Sequence, residues 1–266
     1  MRILLTNDDG IDAPGIIALH EALQGLGEIL VVAPQTVQSA AGHGVTFTQP
    51  LMAQEVNVTD SMSGIAVDGR PADCVKVALR AIWEEKFGKG TRPDITISGM
   101  NSGANVGINV IYSGTVAAAV ESAFLGVPAI AVSLHLGDRS NIRYRRAAEI
   151  ARQGIDTVLQ WDLDPHTVIN INVPRTESDD APMPEMRVVQ MNIAAGTDGY
   201  ERRVSPYGQV YYWSNGSGME FTHTETESDY EALLERHMTI TPLQYRLTNF
   251  EQLALWKDRL QPNVVR

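Results

Sequence analysis

The sequence has one cysteine, Cys74, among its 266 residues. An intrachain disulfide is therefore impossible, and so low a cysteine count is typical of proteins in a reducing compartment. The first residues also lack the long apolar region and the small-residue cleavage site of a signal peptide, because two aspartates follow a short apolar run. We therefore expect a cytoplasmic protein.

Basic residues are scarce relative to acidic ones. The chain has 21 Lys and Arg against 32 Asp and Glu, a formal net charge of −11. Such a chain repels nucleic-acid polymers and anionic membranes at long range, so we expect neither as a partner. If a small substrate is itself anionic, the site must overcome this repulsion locally, with a cation or with backbone N–H groups directed at the substrate.

Long hydrophobic runs are also absent. The most apolar window, residues 114–134, contains Glu121 and is broken by Gly126 and Pro128. This window predicts a buried helix followed by a buried strand, not a membrane span. No G-x-G-x-x-G motif follows the first predicted strand, which disfavours a dinucleotide-binding protein.

What the sequence does contain is a regular alternation of strand and helix patterns. Apolar runs at residues 2–6, 28–33, 93–98, 129–133 and 167–173 predict strands, and helical patterns begin near residues 14, 71, 115 and 144. This alternation predicts an α/β fold with a Rossmann-like, mainly parallel sheet. We assign residues 1–180 to this catalytic domain.

The pattern changes after Pro174, and we assign residues 181–266 to a C-terminal extension. It contains a predicted β-hairpin arm at residues 203–213, a strand at 237–241 and a helix near 249–259. The hairpin carries four aromatic residues: Tyr207, Tyr211, Tyr212 and Trp213. They are consistent with a subunit interface and equally with a satellite core.

The strongest chemical motif follows the first strand, where Asn7, Asp8, Asp9 and Gly10 are consecutive. Ligands of open parallel sheets bind at the carboxyl ends of the strands. Two adjacent carboxylates repel each other unless a cation lies beside them, and the glycine permits the sharp turn that lets both face one point. The alternative is that an aspartate caps the next helix, but Asp12 fits that role better. We therefore predict a metal site at Asp8 and Asp9.

Two further segments follow predicted strands. In the first, Asn101 and Asn105 offer amide oxygens suited to hard cations, although asparagine-stabilised turns explain this segment better when it is taken alone. In the second, Ser113, Gly114 and Thr115 lead into an Ala-rich helix. Such a helix N-terminus offers free N–H groups, hydroxyls and the positive end of the helix dipole, which together can bind phosphate. This role is compatible with ordinary N-capping.

Other polar residues carry weaker signals. Ser39 lies in a loop of small residues that a ligand could approach closely, but a lone loop serine is usually solvated. His43 is either an acid/base group or a solvent-exposed bystander, and the bystander is favoured. We expect Cys74 to be a small core residue and the acidic run at residues 225–231 to be a solvated face.

Taken together, these segments resemble the SurE (survival protein E) 5′/3′-nucleotidases from residue 1 to about residue 247. The resembling segments include MRILLTNDDGIDAPGI, RPADCV, PDITISGMNSGANVG, VIYSGTVAAA, GVPAIAVS and TITPL. The resemblance implies a C-terminal extension that exchanges between subunits, giving a homodimer or homotetramer. It also implies one divalent metal ion per subunit, Mg²⁺ or Mn²⁺. The implied metal ligands are Asp8, Asp9, Ser39 and Asn101, and the implied phosphate contacts are Asn7, Ser113, Gly114 and Thr115.

The chain departs from the family pattern near Ser39. The family has an Asp-Arg-x-Arg/Gln-Ser-Gly run after VVAP, whereas this chain has Gln-Thr-Val-Gln-Ser-Ala at residues 35–40. One or two basic side chains are therefore missing near the site, and Ala40 replaces a glycine. The metal ligands are unaffected, whereas substrate preference and catalytic efficiency are open to change.

The expected function is hydrolysis of nucleoside 5′-monophosphates, with 3′-monophosphates as a further substrate class left open. Asp8 and Asp9 are the predicted catalytic residues. Water is the favoured nucleophile and Asp8 the alternative. Two other functions stay open. One is a metal-dependent nucleotide-binding or sensor protein without turnover, and the other is a haloacid-dehalogenase-type phosphatase, although the latter requires Asp-x-Asp where this chain has Asp-Asp-Gly.

Overall fold

A computed structural model describes residues 1–137, 139–216 and 219–260 of the chain. Its strands are β1 (Arg2–Thr6), β2 (Glu28–Pro34), β3 (Ala53–Asn57), β4 (Ser63–Val67), β5 (Ile95–Ser102), β6 (Ala129–Leu134), β7 (Val168–Val173), β8 (Met186–Val188), β9 (Gly199–Val204), β10 (Val210–Asn215) and β11 (Met238–Leu243). Its α-helices are α1 (Pro14–Ala22), α2 (Pro71–Val77), α3 (Trp83–Phe87), α4 (Gly114–Phe124), α5 (Tyr144–Val158), α6 (Asp229–Leu234) and α7 (Phe250–Leu260). A π-helical segment joins α2 to α3, and a 3-10 helix, Gly107–Tyr112, precedes α4.

Nine strands form one sheet in the order β3-β4-β2-β1-β5-β6-β7-β11-β8. The strands from β4 to β7 are parallel, while β3 and β11 run antiparallel to their neighbours β4 and β7. The predicted α/β, mainly parallel fold is therefore confirmed. β9 and β10 form a separate antiparallel hairpin, the arm, somewhat wider than the predicted 203–213.

Helices cover both faces of the sheet, which explains why the central strands are apolar on both sides. In β1, Ile3 and Leu5 pack into the same core as residues of α1 and α5, whereas Leu4 packs into the opposite core with residues of α2. Successive side chains of a strand point to opposite faces, so a strand covered on both sides needs a continuous apolar run. Cys74 lies fully buried in the second core, as predicted.

The apolar window at residues 114–134 forms the buried helix α4 and the buried strand β6, as predicted. Within the described part of the chain, no helix has the length and apolarity to cross a membrane. The prediction that Asp12 caps α1 is wrong. Ala13 occupies the N-cap position and no side chain caps the helix, which begins at Pro14. Proline at the first helical position has no N–H that would need an acceptor.

The C-terminal residues contribute to the main sheet as well as to the arm. The predicted strand at 237–241 is β11, which lies between β7 and β8. The acidic run at 225–231 is not the solvated face that we predicted, because Asp229 is fully buried. Its carboxylate accepts the N–H groups of Gly107 and Asn192, both at 2.9 Å, and burial raises its pKa. The boundary at residue 180 stays a prediction, and residues 261–266 of the predicted extension lie outside the described residues.

Candidate active site

The site begins with Asp8 and Asp9, which follow the carboxyl end of β1. Asp8 is buried, and its Oδ1 accepts a short hydrogen bond from the Thr115 hydroxyl at the start of α4. Asp9 is partly exposed, and its Oδ2 accepts the N–H of Ser102 at 2.9 Å. The two carboxylates are thus held by different elements, one by α4 and the other by the end of β5.

Burial raises the pKa of Asp8 from its ordinary value near 3.8 to about 6. This value already includes two weaker effects: the hydrogen bond from Thr115 lowers the pKa, and the neighbouring charge of Asp9 raises it. The ionised carboxylate is thus held in an environment that disfavours its charge. A cation at this position would offset that cost.

Because burying the ionised Asp8 carboxylate is unfavourable, we predict that Asp8→Asn stabilises the folded protein in the absence of divalent metal. A folded-state pKa above the unfolded one means that folding is penalised above pH 6 and unpenalised below pH 3.8. At about 1.4 kcal/mol per pKa unit, the penalty amounts to at most about 3 kcal/mol. We expect the variant to unfold at higher temperature than the unmutated protein at pH 8 in chelator, and the difference to shrink as the pH falls from 6 to 4.

Calorimetry or circular dichroism at several pH values measures this difference. The matched control is Asp60→Asn at an exposed position. A pH-independent difference for Asp8→Asn would contradict the assigned burial cost.

The other two predicted metal ligands lie next to residues that contact the aspartates. Ser39 is exposed and follows Gln38, whose N–H donates to the main-chain oxygen of Asp8 at 2.8 Å. Asn101 precedes Ser102, and its Nδ2 donates to the Gly103 oxygen at 2.7 Å, which leaves the amide oxygen as an acceptor. The fold therefore brings both segments to the Asp8–Asp9 turn.

Asn105, the other asparagine of the β5 loop, is turned into the interior. Its Nδ2 donates to Ser133 Oγ and its N–H to Asn172 Oδ1, both at 2.8 Å. Its main-chain oxygen accepts the side-chain amides of Asn170 and Asn172. Asn105 is therefore a structural residue and not a ligand candidate.

The donor set suits a hard cation. Among the described residues, no three His, Cys, Asp or Glu side chains converge as a metal site. The predicted set is of a different kind, since it combines two carboxylates with a hydroxyl and an amide, all oxygen donors of the type that Mg²⁺ and Mn²⁺ prefer.

Next to it, the buried Asn7 donates to the Gly10 oxygen at 2.7 Å, while its own Oδ1 is buried without a hydrogen-bond partner.

The predicted phosphate-binding residues at the start of α4 lie directly beside Asp8. Ser113 caps α4, and its Oγ accepts the N–H of Val116 at 3.1 Å. Gly114 packs against the aspartate so closely that a Cβ there would lie 2.7 Å from Asp8 Cβ. Only glycine allows this approach, which sets the positive end of the α4 dipole beside the carboxylate pair.

Two buried carboxylates, Glu121 and Asp73, hold the loop that carries Ser39. Neither was identified from the sequence as a site residue. His43 Nε2 lies 2.8 Å from Glu121 Oε2, and Lys76 Nζ lies 3.6 Å from the other carboxylate oxygen. Asp73 accepts the N–H and hydroxyl of Thr46 at 2.7 and 2.8 Å. His43 is solvent-exposed, as we favoured, but its contact with Glu121 shows that it is not a bystander. The one sequence signal was Glu121 itself, a lone carboxylate in a helix predicted to be buried.

We expect Glu121→Ala and His43→Ala each to weaken Mn²⁺ binding about tenfold, because either change frees the loop that carries Ser39. Since the two side chains form one contact, the double variant should bind Mn²⁺ no more weakly than either single variant. Electron paramagnetic resonance of free Mn²⁺ measures the affinity. Lys86→Ala, which breaks an exposed ion pair with Glu55, is the control. Additive effects of the two changes would show that the contact does not anchor the loop.

Comparison with known proteins places this chain in a family. The model of the family "Survival protein SurE" matches residues 3–196. A "5′-nucleotidase SurE" of Carboxydothermus hydrogenoformans is 39% identical over 270 residues, which cover 98% of each chain. That of Rhodopirellula baltica is 41% identical over 258 residues, covering 97% of this chain and 98% of the relative.

A solved structure agrees with these matches. The crystal structure of the SurE protein from Aquifex aeolicus superposes with a TM-score of 0.80 at 36% identity, covering 97% of this chain and 98% of that one. The resemblance noted from the motifs is confirmed over nearly the whole length. The chain therefore belongs to the SurE family.

Proposed function

We propose that this protein hydrolyses nucleoside 5′-monophosphates to nucleoside and inorganic phosphate with the help of a divalent metal ion. The names of its relatives support the reaction class. The observation that carries the proposal is the contact of buried Asp8 with Thr115 and Gly114, because it joins a carboxylate pair to the N-terminus of α4. A site for a cation and a site for phosphate are thereby adjacent.

In this proposal one Mg²⁺ or Mn²⁺ per subunit is held by four oxygen ligands: Asp8, Asp9, Ser39 and Asn101. Their chemistry supports the assignment, since all offer hard oxygen donors. When bound, the ion supplies positive charge that offsets the charge of the phosphate and stabilises the charge developing on it. In a chain with a net charge of −11, that local positive charge is what an anionic substrate needs.

The phosphate is bound and oriented at the start of α4 by Ser113, Gly114 and Thr115, with Asn7 beside them. The positive end of the helix dipole at this position favours an anion. Water is the nucleophile in this proposal rather than Asp8. The Asp8 carboxylate is confined, since Oδ1 accepts the Thr115 hydroxyl and Oδ2 lies against Gly114.

The test is a phosphate-release screen over 5′- and 3′-nucleoside monophosphates in Mg²⁺, Mn²⁺ or chelator. We expect release from 5′-monophosphates with metal and none with chelator. Tight nucleotide binding in Mn²⁺ without release would instead indicate a sensor protein. A trapped aspartyl-phosphate would indicate chemistry of the haloacid-dehalogenase type.

The same proposal includes a homodimer or homotetramer. The aromatic side chains of the arm do not form a satellite core in the single chain: Tyr207, Tyr212 and Trp213 are 93%, 63% and 63% exposed. Helix α7 likewise has no buried residue. Surfaces of this kind are typical of subunit interfaces. Light scattering on the eluting protein should give a multiple of the 29.1 kDa chain mass, and a monomer would contradict the proposal.

A further inference from the structure

A cavity opens at the same edge of the sheet as Asp8 and Asp9. It has a volume of about 290 Å³ and lies beyond the carboxyl ends of β6 and β7. This volume is near the lower end of the range for small-molecule sites, roughly 300 to 1,000 Å³. Its lining includes Leu134, His135, Leu136, Asn141, Ile142 and Arg175.

Ser102 lies between the cavity and the candidate active site. The N–H of Ser102 donates to Asp9, and Ser102 pairs with Leu134 across the β5–β6 ladder. The Ser102 hydroxyl also lies 2.9 Å from the hydroxyl of Tyr144, two residues after Ile142. Neighbouring strands are about 4.8 Å apart, so the end of β6 lies roughly 10 Å from the end of β1. The phosphate and base of a nucleotide, separated by a ribose ring, span a distance of the same order.

The lining chemistry suits a nucleobase. Leu134, Leu136 and Ile142 provide apolar walls, and Arg175 presents a planar cation that can stack on an aromatic ring. Arg175 is paired with Glu177 at 3.2 Å, and Glu177 also binds Arg236 at 2.9 Å, which keeps net positive charge here.

His135 lines this cavity with its side chain. Its main-chain N–H donates to the oxygen of Val173 at 2.9 Å, and its side-chain Nδ1 is buried without a hydrogen-bond partner. Burial lowers the pKa of His135, and the charges of Arg175 and Arg236 lower it further. A neutral imidazole has one donor and one acceptor nitrogen. Because Nδ1 has no surface that even a water molecule could reach, only the Nε2 edge of the ring can contact a ligand in the cavity.

We propose that this cavity binds the nucleoside part of the substrate, with the base against Arg175 and His135 while the phosphate lies at the start of α4. The inference rests on the proposed nucleotidase function and adds a specificity site to it. Groups at this cavity contribute to binding of the nucleoside and have no contact with the phosphate.

The test compares a phosphate ester that contains a nucleoside with one that contains none. Arg175→Ala should raise KM for adenosine 5′-monophosphate about tenfold, and leave KM and kcat for p-nitrophenyl phosphate within twofold. Asn141→Trp, which fills the cavity from its exposed rim, should act in the same direction without disturbing a core residue. The control is Arg187→Ala, since Arg187 is similarly exposed and paired with Glu235 at 3.1 Å, but lies on β8.

Equal losses for both substrates, or no loss for either, would overturn the inference while leaving the nucleotidase function in place. If the unmutated protein released phosphate from p-nitrophenyl phosphate but bound no nucleotide more tightly than this substrate, the cavity would likewise have no role. If it released phosphate from neither substrate, the proposed function would fail and this inference with it.

Discussion

Replacing Asp9 with Asn should lower metal-dependent phosphate release about a thousandfold. The change removes one charge from the proposed metal site, while the amide oxygen of asparagine can still accept the N–H of Ser102. Loss of a single electrostatic group that acts on the transition state costs about 10²–10³ in kcat. Because Asp9 is also a proposed metal ligand, the change should weaken cation binding as well. Initial rates at saturating Mn²⁺ measure the effect.

The matched control for this variant is Asp12→Asn. Asp12 lies three residues further along the chain, is exposed and does not cap α1. We expect this control to retain the unmutated rate. Near-normal turnover of Asp9→Asn, with unchanged thermal stability, would refute the assignment of Asp9 to the site.

Replacing Gly114 with Val should lower kcat about a hundredfold. A Cβ at this position would lie 2.7 Å from Asp8 Cβ, 2.9 Å from Asp8 Oδ2 and 3.0 Å from Pro71 Cγ. Because neither Asp8 nor the helix start can move without separating the carboxylate from Thr115, the site geometry must change. A displacement of about 1 Å at an active site can cost a hundredfold in rate.

The rate and the Mn²⁺ affinity of Gly114→Val should be measured together with its unfolding temperature. Gly199→Val in the arm is the control, because among the described residues its Cβ would come within 4 Å only of the tip of the Asn215 side chain, at 3.1 Å. A folded Gly114→Val variant with full activity would show that the contact of α4 with Asp8 is dispensable.

The sequence predicted most of the strands that the core covers on both sides, although it missed β4, whose Ile65 and Ala66 lie in opposite cores. Strands β1, β2, β5, β6 and β7 were found because double burial requires a continuous apolar run. Strand β3 was missed because it is an edge strand with the polar, largely exposed sequence AQEVN. Helix α6 was missed because its six residues follow an acidic stretch and include Asp229. The partners that bury Asp229 are Gly107 and Asn192, which are 122 and 37 residues away in sequence.

In the candidate site, too, the local motifs were predictable from the sequence, whereas the contacts between residues distant in sequence were not. The Asp8–Asp9 turn and the Ser113–Thr115 helix start are local motifs, so their chemistry could be inferred from neighbouring residues alone. Their contact through Thr115 and Gly114 depends on the packing of α4 against the end of β1. The anchoring of His43 by Glu121 spans 78 residues, and no local pattern predicts such a pair.

The proposed metal site is tested most directly by anomalous diffraction from crystals grown with Mn²⁺. We expect one strong peak per chain, within roughly 2.0–2.6 Å of oxygens from Asp8, Asp9, Asn101 and Ser39, the distances at which oxygen ligands bind hard divalent cations. A peak bound elsewhere, or carboxylates of Asp8 and Asp9 with no cation between them and Asn101 at saturating Mn²⁺, would contradict it.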